Sequence, residues 1–233
     1  MSSIAQNLQR VQHQITVATE KSGRAPASVQ LLAVSKTFDA SAVLEAVQAG
    51  QRAFGENYLQ EALEKIAALP ALAPQASLEW HFIGPIQSNK TRPIAEHFDW
   101  VHSVDRLKIA QRLSEQRPAE LGPLNICLQV NISDEDSKSG LAPAELPQVA
   151  AQVAQLPRLR LRGLMAIPAP STDVVQQRAA FAAVRRLQEQ LQADGLALDT
   201  LSMGMSADLD AAVAEGASIV RIGSAIFGAR HAA

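Results

Sequence analysis

The fold is decided by Leu31-Leu32-Ala33-Val34-Ser35-Lys36-Thr37, an apolar run that ends on an amine. An apolar run of this length without polar alternation is typical of a parallel strand that is covered on both faces. In α/β folds the chemistry lies at the carboxyl ends of such strands. The stretch therefore predicts a buried parallel strand with Lys36 at its functional end.

Apolar surroundings at that position would change the chemistry of Lys36. Burial disfavours the ammonium form, so the pKa of a lysine held against apolar walls falls below that of a surface lysine. A neutral amine attacks an aldehyde to form a Schiff base. Lys36 is therefore the leading candidate for a covalent link to an aldehyde.

The rest of the chain alternates short β-like runs with longer helical runs. The predicted strands are Gln30–Lys36, Arg52–Glu56, Trp80–Gly84, Trp100–Val104, Asn125–Ile132, Leu161–Ile167, Thr200–Met205 and Ile219–Gly223. The predicted helices between them are Ala40–Ala49, Tyr58–Leu69, Lys90–His97, Arg106–Gln116, Pro143–Leu156, Val174–Ala193 and Ala207–Glu215.

Eight strand–helix units in 233 residues predict an α/β fold, a (β/α)8 TIM barrel. An open doubly wound sheet is the main competitor, but the sequence has no Gly-rich dinucleotide turn. An amphipathic helix with Ile4, Leu8 and Val11 on one face precedes the first unit. Pro70–Pro74 and Pro118–Pro123 are predicted loops. Without a long linker or a shift in composition, residues 1–233 are predicted to form a single domain.

The bulk composition is ordinary for a soluble globular protein. Hydrophobic residues make up 47%, charged residues 19%, and the net charge is −2. This charge gives no reason to expect nucleic acid or an anionic membrane as partner. A single cysteine, Cys127, excludes an intrachain disulfide and favours a reducing compartment. Without a secretory signal or an apolar run long enough to span a bilayer, we expect a cytoplasmic protein.

The loops after the last two strands contain a phosphate-site signal. Barrels frequently bind phosphate with these loops and a helix N-terminus. Ser206 is predicted to cap the helix that starts near Ala207. Gly223 lets backbone N–H groups approach an anion, and Ser224 adds a hydroxyl. Each piece alone fits an ordinary turn, but together with Lys36 at the end of the first strand they favour a phosphate site.

Arg221 stands in the apolar run Ile219–Ile222, where an arginine is costly unless it has a partner. A buried ion pair and a snorkelling surface arginine are the plain interpretations. The functional interpretation is a hydrogen bond to a heterocycle nitrogen, since an Asp or Arg is the usual partner of the pyridine nitrogen in pyridoxal phosphate sites. An arginine keeps its proton, so the ring nitrogen would stay unprotonated.

Two further residues carry weaker signals. Asn57 either contacts a ligand or caps the next helix, and His81, a lone strand histidine, is more often a satisfied core residue than a catalyst. The other histidines show no metal-ligand spacing. The acidic run 134–136 superficially resembles a calcium loop, but Lys138 stands where a ligand is needed. No metal site is therefore predicted.

Six motifs together resemble the pyridoxal phosphate homeostasis protein family over nearly the whole chain. They are Leu-Ala-Val-Ser-Lys-Thr at 32–37, Phe-Gly-Glu-Asn-Tyr at 54–58, Trp-His-Phe-Ile-Gly-Pro-Ile-Gln-Ser-Asn-Lys at 80–90, Gly-Leu-Met-Ala-Ile-Pro at 163–168, Ser-Met-Gly-Met-Ser at 202–206 and Val-Arg-Ile-Gly-Ser-Ala-Ile-Phe-Gly-Ala-Arg at 220–230. The resemblance implies the barrel of the alanine racemase N-terminal domain without that enzyme's second domain.

The resemblance also implies a cofactor, pyridoxal 5'-phosphate (PLP), and a set of binding residues. By position, Lys36 forms the Schiff base and Arg221 faces the pyridine nitrogen. The phosphate cradle comprises Ser206, Gly223 and Ser224, with Ser224 where members often have threonine. Asn57, His81 and Met165 line the site.

The family implies PLP binding and vitamin B6 homeostasis without established turnover, with the cofactor stored or handed to PLP-dependent apoenzymes; we expect a monomer. One alternative is a fold-type III PLP enzyme such as an amino-acid racemase, which needs an acid/base on each face of the substrate. Lys36 serves one face, but Tyr58 is the only tyrosine and falls at a helix start. Another alternative, a sugar-phosphate aldolase, leaves Arg221 without a role.

Overall fold

Eight parallel strands close into a barrel in sequence order, with the first strand paired to both the second and the eighth. The computed structural model describes residues 2–133 and 139–230. The strands are β1 (Gln30–Val34), β2 (Ala53–Glu56), β3 (Glu79–Phe82), β4 (Trp100–Val104), β5 (Leu124–Gln129), β6 (Leu159–Met165), β7 (Thr200–Ser202) and β8 (Ile219–Ile222). The predicted (β/α)8 barrel is confirmed, and the closed sheet excludes the doubly wound alternative.

Helices surround this barrel. They are α1 (Ser3–Lys21), α2 (Ala40–Gln48), α3 (Leu59–Leu72), α4 (Thr91–His97), α5 (Leu107–Gln116), α6 (Leu146–Val153), α7 (Val174–Ala193), α8 (Leu209–Ala214) and α9 (Ser224–Phe227). The extra N-terminal helix α1 buries Ile4, Leu8, Val11 and Ile15 and packs against α2, α8 and α9. Among the described residues, no helix combines the length and apolar character needed to cross a bilayer.

Two predicted loops contain helical structure. Helix α3 continues through Pro70 to Leu72, so the predicted loop at Pro70–Pro74 is wrong in its first half. Pro70 is exposed and lies in the last turn, so the helix hydrogen bond that it removes is close to the helix end, while buried Leu69 anchors that turn. A 3-10 turn, Ala119–Leu121, occupies the centre of the predicted loop Pro118–Pro123.

Several strands end earlier than their apolar runs predict. Strand β1 stops at Val34 rather than Lys36, and β7 stops at Ser202 rather than Met205. The next residues remain buried, as Ser35 and Met203 are, although they have left the ladder. Apolar sequence alone does not mark this point, because the start of each loop packs as tightly as the strand.

A separate cluster of apolar side chains fills the barrel interior. Side chains alternate along a strand, so every second residue of a barrel strand points inward. The buried members of this cluster are Leu32, Val34, Ala53, Ile83, Trp100, Cys127, Met165 and Ile219. The outward-facing strand residues pack beneath the helices in the larger core. The inward-facing residues of each strand, here called its inward series, also determine which side chains lie at the barrel mouth, because the same alternation continues to the strand end.

Candidate functional site

Strand alternation directs Lys36 and Arg221 to the same side of the sheet. Lys36 lies two residues beyond the interior residue Val34, and Arg221 lies two beyond the interior residue Ile219. Strands β1 and β8 are neighbours, with Leu32 paired to Arg221. Arg221 therefore belongs to the inward series of β8, and Lys36 continues the inward series of β1 just past the carboxyl end of that strand.

Lys36 is half-buried just past the end of β1. Burial lowers the pKa of its amine, and the positive charge of Arg230 lowers that pKa further. Both effects disfavour the ammonium, as expected from its apolar surroundings. The amine is thereby better suited to nucleophilic attack than that of a surface lysine.

A buried ion pair fixes the backbone just before Lys36. Lys65 Nζ lies 2.7 Å from Glu56 Oε1, and it donates to the Ser35 carbonyl, also at 2.7 Å. The Ser35 hydroxyl donates to the same Glu56 oxygen at 2.8 Å. These contacts tie the end of β1 to β2 and α3. The backbone position of Ser35, the residue before Lys36, is therefore fixed.

The residue after Lys36 is held in an unusual conformation. Thr37 has a φ of 70°, in the left-handed region that a β-branched residue rarely adopts. Its N–H donates to Glu61 Oε1 at 2.6 Å, and that oxygen also lies 2.7 Å from Lys65 Nζ. The sharp turn after Lys36 is therefore anchored by the same charged cluster as the strand end before it.

Arg221 is buried, with 6% of its surface exposed. Its Nη1 donates to Ser202 Oγ at 2.7 Å and its Nη2 to the Ala166 carbonyl at 3.0 Å. Both partners are neutral, so the arginine is neither the ion-paired nor the snorkelling residue of the plain interpretations. Burial lowers its pKa to about 10, which still keeps the guanidinium charged at neutral pH.

Ser202 continues into a chain of buried polar side chains. His102 Nδ1 lies 2.7 Å from Ser202 Oγ, and His102 Nε2 lies 2.7 Å from His81 Nδ1. His81 Nε2 in turn lies 2.6 Å from Glu79 Oε1. Both histidines are fully buried, and the His81 ring stacks on Trp100 at 5.3 Å. The structure thus places His81 inside the barrel with both ring nitrogens engaged.

Asn57 is positioned by a close approach of two loops. A Cβ on Gly84 would lie 2.4 Å from the Asn57 carbonyl oxygen, so only glycine fits there. Asn57 borders a cavity of about 260 Å³ at the carboxyl ends of β2 to β6, together with Ile83 and Gln129. Its Oδ1 is buried and has no hydrogen-bond partner among the described residues. A buried acceptor of this kind indicates a missing donor.

The remaining predicted residues lie at or near the mouth. Met165 ends β6 and belongs to the interior cluster, while Ser224 begins α9 directly after Gly223. Ser206 and Ser224 are exposed, and Gly223 is half-buried. The predicted capping role of Ser206 is wrong, because Ser206 is the first residue of a 3-10 turn, Ser206–Asp208, that precedes α8. Met205 precedes this turn, and its N–H donates to Asp208 Oδ1 at 2.7 Å.

Several residues around the site have no strong sequence signal. Lys65 and Glu61 look like an ordinary helix-surface pair, and Ser202, although it belongs to the motif at 202–206, looks like an ordinary strand serine. The only local signal for the polar chain is the spacing of Glu79 with His81 and of Trp100 with His102, two residues apart on their strands. The acidic run 134–136 and Lys138 lie outside the described residues.

Known proteins share this architecture. The family model described as the alanine racemase N-terminal domain matches residues 6–231. PipY of Synechococcus elongatus, solved with PLP bound, superposes with a TM-score of 0.85 and 41% identity, covering 97% of this chain and 100% of PipY. Alanine racemase of Corynebacterium glutamicum superposes with a TM-score of 0.71 at 19% identity, covering 97% of this chain and 61% of the racemase, which shows the shared barrel alone.

Sequence identity places the chain more narrowly. It is 66% identical over 230 residues to a Pseudomonas aeruginosa protein named pyridoxal phosphate homeostasis protein, covering 99% of this chain and 97% of that relative. The match extends over nearly the whole chain, so the resemblance found in the motifs is confirmed. The chain therefore belongs to the pyridoxal phosphate homeostasis protein family.

Proposed function

We propose that this protein binds PLP covalently through Lys36 and keeps the cofactor available in the cytoplasm, without catalytic turnover of its own. The observation that carries the proposal is the placement of two residues: a lysine of lowered pKa lies just past the end of β1, and a buried arginine whose two protein partners are neutral lies on the neighbouring strand β8. The PLP bound to PipY and the name of the Pseudomonas aeruginosa relative support the choice of cofactor.

The described residues fit this cofactor. When bound, PLP supplies an aldehyde for covalent attachment and a ring that withdraws electrons most strongly when its nitrogen is protonated. Arg221 has five N–H donors, of which two have protein acceptors among the described residues, so donors remain for an acceptor nitrogen. The unpartnered Asn57 Oδ1 offers an acceptor to a ligand hydroxyl. Met165 supplies an apolar wall to the site. His81 is buried inside the barrel and is connected to Arg221 through hydrogen bonds with His102 and Ser202.

The phosphate group would lie against Ser206, Gly223 and Ser224, on the loops that follow β7 and β8. The two serines are exposed at the carboxyl end of the barrel, where their hydroxyls are free to meet an anion. A Cβ on Gly223 would lie 3.2 Å from the Val34 carbonyl oxygen, which favours glycine beside the end of β1. This cradle would hold the phosphate over the two strands that contribute Lys36 and Arg221.

The same geometry argues against turnover. Arg221 stays protonated and donates its N–H groups, so a ring nitrogen facing it remains unprotonated and the ring withdraws electrons weakly. Racemization also needs a second acid/base, and Tyr58, the only tyrosine of the chain, is 52% exposed at the start of α3. These features favour a protein that stores or hands over PLP rather than a racemase.

The experiment is a transfer assay with the PLP-loaded protein. It should reactivate a cofactor-free PLP enzyme, while the Lys36→Ala variant should retain too little PLP to do so; Lys90→Ala, an exposed lysine, is the matched control. Failure of the loaded protein to reactivate any apoenzyme would contradict transfer. Amino-acid racemization at about 1 s⁻¹ or faster, within the usual enzyme range, would instead make the protein a catalyst.

A further inference from the structure

A continuous hydrogen-bond chain crosses the barrel interior beneath Arg221. It passes from Arg221 through Ser202, His102 and His81 to Glu79, with successive distances of 2.7, 2.7, 2.7 and 2.6 Å. Four different strands, β8, β7, β4 and β3, contribute these side chains. Glu79 is the first residue of β3, and its side chain is 42% exposed, so the chain runs from the buried arginine to solvent at the amino end of the barrel.

The two end groups, Arg221 and Glu79, determine the donor-to-acceptor direction of every hydrogen bond between them. An arginine can only donate, and an ionised carboxylate can only accept. Since Ser202 Oγ accepts from Arg221, its single proton is available for His102 Nδ1. A neutral His102 then carries its proton on Nε2 and donates to His81 Nδ1, and a neutral His81 likewise donates from Nε2 to Glu79.

We propose that these five side chains form a one-directional relay in which both histidines are neutral Nε2–H tautomers, and that Glu79 is a positioning residue for Arg221. Each donor in the relay points away from Arg221 and toward the carboxylate, so every bond dipole stabilises the buried positive charge. Burial is the main cause of the lowered pKa of both histidines, which agrees with neutral rings. No proton leaves Arg221, because its pKa stays well above neutral while that of Glu79 is lowered by the His81 hydrogen bond.

The relay gives Arg221 a fixed orientation. Ser202 and the Ala166 carbonyl hold two guanidinium nitrogens, so the remaining N–H groups keep one direction. A serine hydroxyl alone could rotate and offer its proton to the mouth; His102 prevents this by accepting it. The consequence for PLP rests on the proposed function, whereas the tautomers do not depend on it.

The main rival is a charged His81. If His81 were an imidazolium paired with Glu79, it would donate from both nitrogens, and His102 Nε2 would have to accept. His102 would then carry its proton on Nδ1, and Ser202 Oγ would accept from both neighbours. The relay would no longer run in one direction.

The test is long-range ¹H–¹⁵N NMR of the five histidines in the protein without and with PLP at neutral pH. Single His81→Gln and His102→Gln variants assign the two signals. The relay predicts one protonated Nε2 and one unprotonated Nδ1 on each ring. A doubly protonated His81, or a protonated Nδ1 on His102, would overturn the proposal whether or not PLP binds.

Variants test the positioning of Arg221. Ser202→Ala should weaken PLP binding about tenfold and shift the ¹⁵N resonance of ring-labelled cofactor, because Arg221 loses a charged hydrogen bond. Glu79→Gln, which keeps an acceptor for His81, should preserve both tautomers and produce a smaller shift of the same sign. Ser114→Ala removes a buried hydroxyl bonded to the Pro157 carbonyl and is the control, with neither effect. Unchanged cofactor resonances in Ser202→Ala and Glu79→Gln, with PLP still bound, would refute the role of Glu79 without touching the proposed function.

Discussion

Glu61 Oε1 accepts the backbone N–H of Thr37 at 2.6 Å, immediately after the lysine that we propose as the PLP attachment site. Thr37 has a φ of 70°, and a β-branched residue in this region costs roughly 1–3 kcal/mol. Backbone strain of this kind persists only where the surroundings hold it. The direction of the Lys36 side chain is therefore set from outside the barrel, by a carboxylate on α3.

Removal of that carboxylate should loosen the turn. We expect Glu61→Ala to lower the free energy of unfolding by about 1–3 kcal/mol, because the Thr37 N–H loses a charged acceptor. The variant should also raise the dissociation constant for PLP, since Lys36 loses its fixed direction. Denaturant unfolding and PLP titration measure the two effects. Glu64→Ala, an exposed glutamate on the same helix, is the control; equal effects in both variants would contradict the anchoring role of Glu61.

The buried pair Glu56–Lys65 provides a second test of this cluster. Lys65→Met should destabilise the protein by about 3–5 kcal/mol, because it leaves the Glu56 carboxylate buried and unpaired. The double variant Glu56→Gln/Lys65→Met should recover most of that loss, since glutamine still accepts from Ser35. Both values come from denaturant unfolding. A double variant as unstable as Lys65→Met alone would show that the unpaired charge is not the cause.

Acid should destabilise the fold through His102. Its pKa in the folded protein is well below 6.5, first because of burial and then because of His81 and Arg221. Below about pH 6.5 the unfolded chain binds a proton that the folded state does not, so stability falls as the pH falls, by up to about 1.4 kcal/mol per pH unit. Unfolding between about pH 6.5 and 5 should show a shallower decline for His102→Gln than for the wild type. His13→Gln, on the exposed face of α1, is the control; parallel slopes for the wild type and His102→Gln would contradict a neutral buried ring.

Two serines test the phosphate cradle. Ser206→Ala and Ser224→Ala should each weaken PLP binding by about 0.5–1.5 kcal/mol, or up to about 3 if the bond is charge-assisted. Affinity for pyridoxal, which lacks the phosphate, should not change. Ser41→Ala removes an exposed serine hydroxyl at the start of α2 and serves as the control. Unchanged PLP affinity in both cradle variants would place the phosphate elsewhere.

Local sequence patterns predict the helices and strands of this protein better than they predict the hydrogen-bonded polar residues inside the barrel. Strand β4 and helix α7 have the bounds that their sequences predict, because Trp100–Val104 is uniformly buried and Asp173 caps a long amphipathic run. The position of Lys36 follows from one apolar strand. The relay could not be predicted in the same way, since His102 and Ser202 are 100 residues apart and meet only when the barrel closes. The capping role of Ser206 failed because the helical turn begins earlier than predicted, so that Ser206 is its first residue and Met205 precedes it.

The central claim is that Lys36 holds PLP covalently, and its most direct test is borohydride reduction of the PLP-loaded protein followed by peptide mass mapping. Reduction should abolish the absorbance band of the bound cofactor and leave one phosphopyridoxyl adduct, on the peptide that contains Lys36. The Lys36→Ala variant should show no such adduct after the same treatment. An adduct on Lys90 or Lys138 in the wild type, or no adduct at all, would contradict the account.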